Sequence, residues 1–197
     1  MGLVQQAVDT LQQTIEQFPG NNRARHVLAK MLIDGNRFED GLALLQEIPE
    51  ADYSPRTLEL VGYCLMGLGR FDEAGDAARK LVSVHPDSAA GLNLLGALSY
   101  QQDDTAGAEN FYTQAVKSTL DYGPALVNLG ILQWDRGHHQ AALDLIEKGF
   151  IKDPTDMTAV TAYHAAVTAL GAFKRAEPAF RTALNHNPTM NGCNIYW

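Results

Sequence analysis

The residue types that could support chemistry are few in this sequence, and their spacing assembles no site. Gly67-Leu68-Gly69 has the opening glycines of a phosphate-binding loop, but it ends a helical pattern and the rest of that motif is missing. His138 and His139 stand in a predicted turn, with no cysteine or carboxylate at zinc-site spacing. Cys64 is predicted to be a small buried hydrophobe. Because no Ser–His–Asp or Cys–His grouping is indicated, we expect a non-enzyme without cofactor or metal.

Composition and charge argue against several classes of partner. The chain has 197 residues, of which 46% are apolar, so it can bury a core. Twenty-three acidic residues against 15 basic ones give a net charge of −8, which disfavours free nucleic acid and anionic membrane surfaces. No run approaches the ~18 consecutive apolar residues of a membrane span, and no signal-peptide pattern opens the chain. We expect a cytoplasmic protein without membrane insertion, or a periplasmic one if a signal has been removed.

The sequence repeats with a period of about 34 residues, which is typical of helix–turn–helix repeats. A shift of 34 places aligns Gly62, Gly96 and Gly130. We predict a single array over residues 1–190, which consists of a half-repeat at 1–21 and five repeats, followed by a C-terminal tail at 191–197. The five repeats are 22–54, 55–88, 89–122, 123–156 and 157–190.

Three positions of the repeat carry residue types that have a structural reason. The eighth is small in four of the five repeats, which allows close helix packing: Ala29, Gly62, Gly96, Gly130 and His164. The fifteenth holds residues that suit a turn: Asn36, Gly69, Asp103, Gly137 and Gly171. The twentieth is always small: Gly41, Ala74, Ala108, Ala142 and Ala176. Together these positions predict two closely packed helices in every repeat.

Hydrophobic spacing within each repeat predicts helices and no strands. Leu92 and Leu95, for example, share one face of a helix. Pro86 and Pro154 predict the ends of second helices. Pro178 falls inside the last second helix, where we expect it to shorten the helix rather than kink it. The predicted class is all-α, a solenoid in which stacked antiparallel helix pairs share a continuous core.

These residues resemble the tetratricopeptide repeat family, whose pattern is W-x2-L-G-x2-Y, then A-x3-F, then A and P. Repeat 89–122 carries the pattern as Leu92, Leu95-Gly96, Ser99, Ala108, Tyr112 and Ala115. The resemblance covers nearly the whole chain. It implies a right-handed superhelix with a concave groove lined by the first helices. It also implies binding of peptides or partner proteins, rather than catalysis by the repeats.

Two peptide-binding patterns of this family are absent from the sequence. The carboxylate clamp for chaperone tails needs Lys and Asn at positions five and nine of the first repeat, where this chain has His26 and Lys30. The asparagine ladder of O-GlcNAc transferase needs Asn at position six of successive repeats, and only Asn128 fits.

The resemblance assigns groove positions to one side of each first helix. Positions 2, 5, 9, 12 and 13 lie on that side, away from the core positions. The residues we predict for the peptide-binding groove are Lys30, Tyr63, Met66, Asn93, Tyr100, Gln101, Val127, Ile131 and Trp134. A basic N-terminal wall and an aromatic, apolar middle suit a peptide with apolar side chains and with acidic residues on its N-terminal side. Tyr and Trp often anchor binding hot spots, but aromatics at helical spacing also serve as packing residues.

Three functions stay open at this point. The leading hypothesis is a non-catalytic scaffold that binds a peptide or a partner protein segment in the groove. The second is a regulatory or substrate-presenting arm of a larger enzyme such as a transferase. The third is a self-assembling array, a homo-oligomer that forms through its exposed ends. A half-repeat at the start and the ending Ile195-Tyr196-Trp197 favour a segment of a longer protein over pairing of copies.

Overall fold

The computed structural model describes residues 2–119 and 122–186, and within them it has eleven α-helices, a short 3-10 helix and no strand. Two compact units divide the chain at residue 86. The first unit contains α1 (Gly2–Gln17), α2 (Asn22–Asp34), α3 (Phe38–Gln46), the 3-10 helix (Glu50–Asp52), α4 (Pro55–Gly67) and α5 (Phe71–Val84). The second contains α6 (Ala89–Gln101), α7 (Thr105–Ser118), α8 (Gly123–Asp135), α9 (His139–Lys152), α10 (Met157–Leu170) and α11 (Phe173–His186). The predicted all-α solenoid class is confirmed.

Short polar side chains start most of the first helices. Each accepts a hydrogen bond from a backbone N–H of the first turn, which would otherwise lack an intrahelical partner. The backbone N–H groups that donate, with their acceptor side chains, are Ala24 (to Asn21, 3.1 Å), Thr57 (to Ser54, 3.1 Å), Gly91 (to Ser88, 3.2 Å) and Thr158 (to Asp156, 2.7 Å). At the other end of the repeat, α5 and α9 stop two residues before Pro86 and Pro154, as predicted.

The turn inside every helix pair contains one residue in the left-handed conformation. These residues are Asn36 (φ 57°), Gly69 (φ 70°), Asp103 (φ 59°), Gly137 (φ 82°) and Gly171 (φ 61°). They are the five residues at the fifteenth position of the repeat, so the turn prediction is confirmed. Glycine adopts this conformation freely, and Asn and Asp are the side-chain-bearing residues that tolerate it best.

Small residues bring the two helices of a pair into close contact. A Cβ atom on Gly130 would lie 2.6 Å from Ile146 Cγ1, and one on Gly96 would lie 2.6 Å from Tyr112 Cδ1. On the second helices, the alanines of the twentieth position are all fully buried: Ala74, Ala108, Ala142 and Ala176. The small eighth and twentieth positions therefore do what the sequence predicts.

The last helix pair packs differently, because His164 replaces the small residue and is exposed. The aromatic cluster of Phe150, Tyr163 and Phe180 fills the core there, with ring centroids 4.9 to 5.1 Å apart. Our expectation that Pro178 shortens the last helix is wrong, since α11 runs from Phe173 through it. Pro178 is exposed, so water can solvate the carbonyl group that loses its partner. The tail 191–197 lies outside the described residues.

The first complete pair also departs from the others. Its second helix, α3, ends at Gln46, and the 3-10 helix replaces the missing turn. Ile48 is buried beneath this segment. Lys80 Nζ ties the segment to α5, because it lies 2.8 Å from Glu50 Oε1 and 5.9 Å from the Tyr53 ring centroid.

Candidate functional site

The first helices of the second unit form a pocket on the side where we predict binding. It has a volume of about 210 Å³ and lies between α6 and α8, with one side chain of α7 beneath. The lining residues are Ala97, Tyr100, Gln101, Tyr112, Asn128 and Ile131. Three of them, Tyr100, Gln101 and Ile131, belong to the groove predicted from the sequence. This pocket is the candidate functional site.

Tyr100 stands at the rim of the pocket with 36% of its surface exposed. Its hydroxyl donates a hydrogen bond to Asp135 Oδ2 at 2.6 Å, which joins the C-terminal ends of α6 and α8. This hydrogen bond raises the pKa of Tyr100, and partial burial and the charges of Asp135 and Asp103 raise it further. The phenol therefore stays neutral at physiological pH and holds its ring in place at the pocket mouth.

Asn128 lines the pocket and also connects it to the interior. Its Nδ2 donates to Asn93 Oδ1 at 3.0 Å. The described residues give its Oδ1 no hydrogen-bond partner, so this carbonyl can accept an N–H from a bound segment. Asn128 is not among the residues predicted for the groove, because it is the single asparagine at position six of the repeats and a ladder needs several.

Asn93 and Val127 do not belong to an accessible surface, although we predict both for the groove. Each is 2% exposed. Asn93 is covered where α8 packs on α6, and Val127 belongs to the core around Phe150. Val127 reaches that depth because Gly149 offers no side chain, and a Cβ there would lie 2.5 Å from Val127 Cγ2. We therefore remove these two residues from the proposed binding surface.

Trp134 is half-buried and combines two roles. It packs against the core cluster that contains Phe150 and Tyr163. Its ring centroid lies 4.4 Å from that of His139, which is the first residue of α9. The indole thus covers the next turn of the chain, as the packing alternative predicts, and leaves only part of its surface for a ligand.

The other predicted groove residues, Lys30, Tyr63 and Met66, lie in the first unit and are half-buried. The basic wall there is largely neutralised within the unit. Lys30 forms an ion pair with Asp34, and Arg56 forms one with Glu59 at 2.8 Å. Burial, and then the charge of Arg56, lower the pKa of His26, so its neutral form dominates at pH 7. The preference for an acidic peptide at this wall stays a prediction.

A larger cavity, of about 540 Å³, lies outside the predicted groove between α9 and α11. Phe150, Ile151 and Pro154 line one side, and Pro178, Ala179 and Ala183 line the other. Sequence reasoning missed it because these positions are assigned to helix packing. The signal was present as three small or ring-constrained residues on one face of the last helix.

The described residues show no group of three or more His, Cys, Asp or Glu side chains that could hold a metal ion. Cys64 is buried, and this burial raises the pKa of its thiol to about 11. Among residues 2–119 and 122–186, no helix has both the length and the apolar character needed to cross a bilayer.

Family models described as tetratricopeptide repeat match the chain in three consecutive segments, residues 1–62, 62–124 and 123–148. The chain belongs to the tetratricopeptide repeat family. Proteins of this family are in general non-catalytic scaffolds for protein interactions.

The similar proteins include a much longer relative and solved structures that share the fold. Over 133 residues the chain is 27% identical to Superkiller complex protein 3 of Homo sapiens. The matched segment covers 66% of this chain but only 8% of that protein. TTC0263, a thermophilic tetratricopeptide-repeat protein of Thermus thermophilus, has a crystal structure that shares 18% identity and a TM-score of 0.66, over 84% of this chain and 91% of its own. Cut9–Hcn1, an APC/C hetero-tetramer, shares 16% identity and a TM-score of 0.67, over 94% of this chain and 37% of the other. These two structures support the fold alone.

Proposed function

We propose that this tetratricopeptide-repeat chain is a protein-interaction module that holds a segment of a partner protein against the first helices of its second unit. One observation carries the proposal. The pocket of about 210 Å³ between α6 and α8 is lined by three residues that the family resemblance assigns to the groove. A pocket of this volume suits one large apolar side chain.

The lining of the pocket fits a peptide better than a small metabolite. Ala97, Ile131 and the tyrosine rings supply apolar surface, while Asn128 and Gln101 supply amide groups. Amide groups can pair with a peptide backbone. Small-molecule sites usually have volumes of about 300–1,000 Å³, so a pocket of about 210 Å³ suits one side chain better than a whole metabolite. A few anchors of this kind suit a micromolar affinity, which is about −8 kcal/mol.

A selection from a displayed library of random peptides, followed by titration of the enriched peptides, tests the proposal. Ala97→Leu fills the pocket from α6 with a residue that favours helix. Ala106→Leu makes the same change at an exposed position of α7 and serves as the control. We expect the enriched peptides to bind the Ala97→Leu variant at least about tenfold more weakly, since a lost apolar anchor is worth roughly 1.5–3 kcal/mol. Equal affinity for both variants, with unchanged helicity, would place binding elsewhere.

A second candidate is a segment of a larger assembly, which includes the arm of an enzyme. The observation that favours it is length, because the chain spans less than a tenth of the human relative, whose name places it in a complex. Sequencing the full reading frame would decide, and a frame that ends with these repeats would remove this candidate. Self-assembly through the array ends is tested by sedimentation across protein concentrations, and a strict monomer would contradict it.

A further inference from the structure

Two carboxylates lie beside Tyr100 at the rim of the pocket, and no Lys or Arg of the described residues pairs with them. Asp135 ends α8, and its Oδ2 lies 2.6 Å from the Tyr100 hydroxyl. Asp103 stands in the turn after α6, where its N–H donates to the Tyr100 carbonyl oxygen at 3.1 Å. Neither carboxylate forms an ion pair with any Lys or Arg among the described residues.

The helices add to this potential. Both α6 and α8 end at this rim, and each helix C-terminus carries a partial negative charge. Neither helix has a basic residue in its last turn to balance it. Arg136, the cation next in sequence, is turned away, since its Nη1 lies 2.6 Å from Glu109 and its Nη2 donates to the Thr105 carbonyl oxygen.

Tyr100 lines the pocket, and its hydroxyl contacts Asp135 while its carbonyl oxygen contacts the Asp103 backbone. A tyrosine ring attracts a cation placed over its face, and the attraction grows when the cation is partly desolvated. The rim thus offers a cation two carboxylates, two helix C-termini and an aromatic face. It offers an acidic side chain only repulsion.

We propose, as an extension of the proposed function, that the segment bound by the second unit carries a Lys or Arg beside the apolar side chain that fills the pocket. The apolar side chain lies on Ala97 and Ile131. The cation lies between Asp103 and Asp135, against the Tyr100 ring. Complementary charge of this kind also speeds encounter and excludes acidic competitors.

The test uses the peptides enriched by the full chain from the displayed library, titrated in low and high salt. The variant is Asp103→Asn/Asp135→Asn, which removes both charges but keeps a hydrogen-bond acceptor for Tyr100. Asn also tolerates the left-handed conformation at position 103. The control Asp72→Asn/Asp87→Asn removes two charges outside the pocket. Asp87 lies at the opposite end of α6, about 20 Å away along a 13-residue helix.

We expect Lys or Arg to be enriched near the apolar anchor, and we expect about tenfold weaker binding of such peptides to the pocket variant. Binding to the control should stay within about twofold of wild type, and high salt should reduce the difference. Two outcomes would overturn this inference and leave the proposed function standing. In the first, peptides that bind the Ala97→Leu variant more weakly contain no basic residue. In the second, such peptides bind the Asp103→Asn/Asp135→Asn variant as tightly as wild type. Recovery of no peptide above background, or only of peptides insensitive to Ala97→Leu, would overturn both. Enrichment of peptides that match this chain would identify a second copy as the partner and overturn the proposal of a separate one.

Discussion

Substitution of Gly130 by alanine tests whether close helix approach holds the repeats together. The added Cβ would lie 2.6 Å from Ile146 Cγ1, 3.1 Å from the Ala142 carbonyl oxygen and 3.2 Å from the Ile146 backbone nitrogen. Two of these three atoms are backbone atoms of α9, so a side-chain rotation cannot relieve the contact. Helices α8 and α9 must therefore move apart.

The expected magnitude follows from two opposing effects. Overpacking of a close contact costs about 1–3 kcal/mol. Replacing glycine by alanine inside a helix returns about 1 kcal/mol through helix propensity. The Gly130→Ala variant should therefore lose up to about 2 kcal/mol of unfolding free energy, which corresponds to a decrease in Tm of up to about 8 °C in a chain of this size.

Gly75 provides a matched control in α5. There the three atoms nearest to a Cβ would all belong to the guanidinium end of Arg79, with Nη1 at 2.9 Å. That side chain is 62% exposed and can swing away. The Gly75→Ala variant should therefore gain about 0.5–1 kcal/mol. Thermal and urea unfolding followed by far-UV circular dichroism measure both changes. A Gly130→Ala variant that gains as much stability as the Gly75→Ala variant would refute the close-approach argument.

Four further predictions concern the interior and the last helix pair. In a Cys193→Ser background, Cys64 should react with iodoacetamide at pH 8 about 100-fold more slowly in the native state than in urea, because only the thiolate reacts; equal rates would contradict its burial. The folded pKa of this thiol is about 11, and the usual value is ~8.5. The unfolding free energy should therefore decrease as pH rises between these values, because the thiol of the unfolded chain ionises first. Tyr163→Phe removes the hydrogen bond to Glu147 Oε1 at 2.6 Å and should lower the unfolding free energy in urea by about 1 kcal/mol, whereas an unchanged midpoint would show that the bond is energetically neutral. Pro178→Ala should slow amide hydrogen exchange in α11 and stabilise the pair by about 1–3 kcal/mol, and faster exchange would show that the proline ring is needed for packing.

Much of the fold follows from the sequence because it depends on local rules. A residue in the left-handed conformation must be glycine, asparagine or aspartate almost by necessity, and these types marked all five turns. A close helix contact needs a small residue, so the repeated glycines predicted which faces meet. Both rules operate within a few residues or within one helix pair, where spacing alone fixes the neighbours.

The binding surface follows less well because repeat position fixes a direction but not what covers it. Tyr100 and Ile131 share a first-helix side with Asn93 and Val127, and all four are predicted for the groove. Asn93 is covered by the neighbouring helix. Val127 packs against Gly149, which lies 22 positions later in the sequence. Spacing within one helix carries no information about such contacts.

The last helix pair shows the same limit in another form. His164 breaks the small-residue pattern, but the sequence does not say what replaces the close contact. Phe150, Tyr163 and Phe180 come from three helices, and their stacking depends on all three backbones.

The pairing of each helix with its neighbours along the chain also bears on how the protein reaches its structure. Within each unit a helix packs mainly on the helices just before and after it, so most contacts join residues that are close in sequence. Chains with such local contacts fold in microseconds to milliseconds, and stacked repeats can start folding at any pair and extend from there. A ribosome adds about 5–20 residues per second. Each new pair can therefore pack on the pairs already synthesised before the following pair is complete, which limits the time during which apolar faces are exposed to other chains.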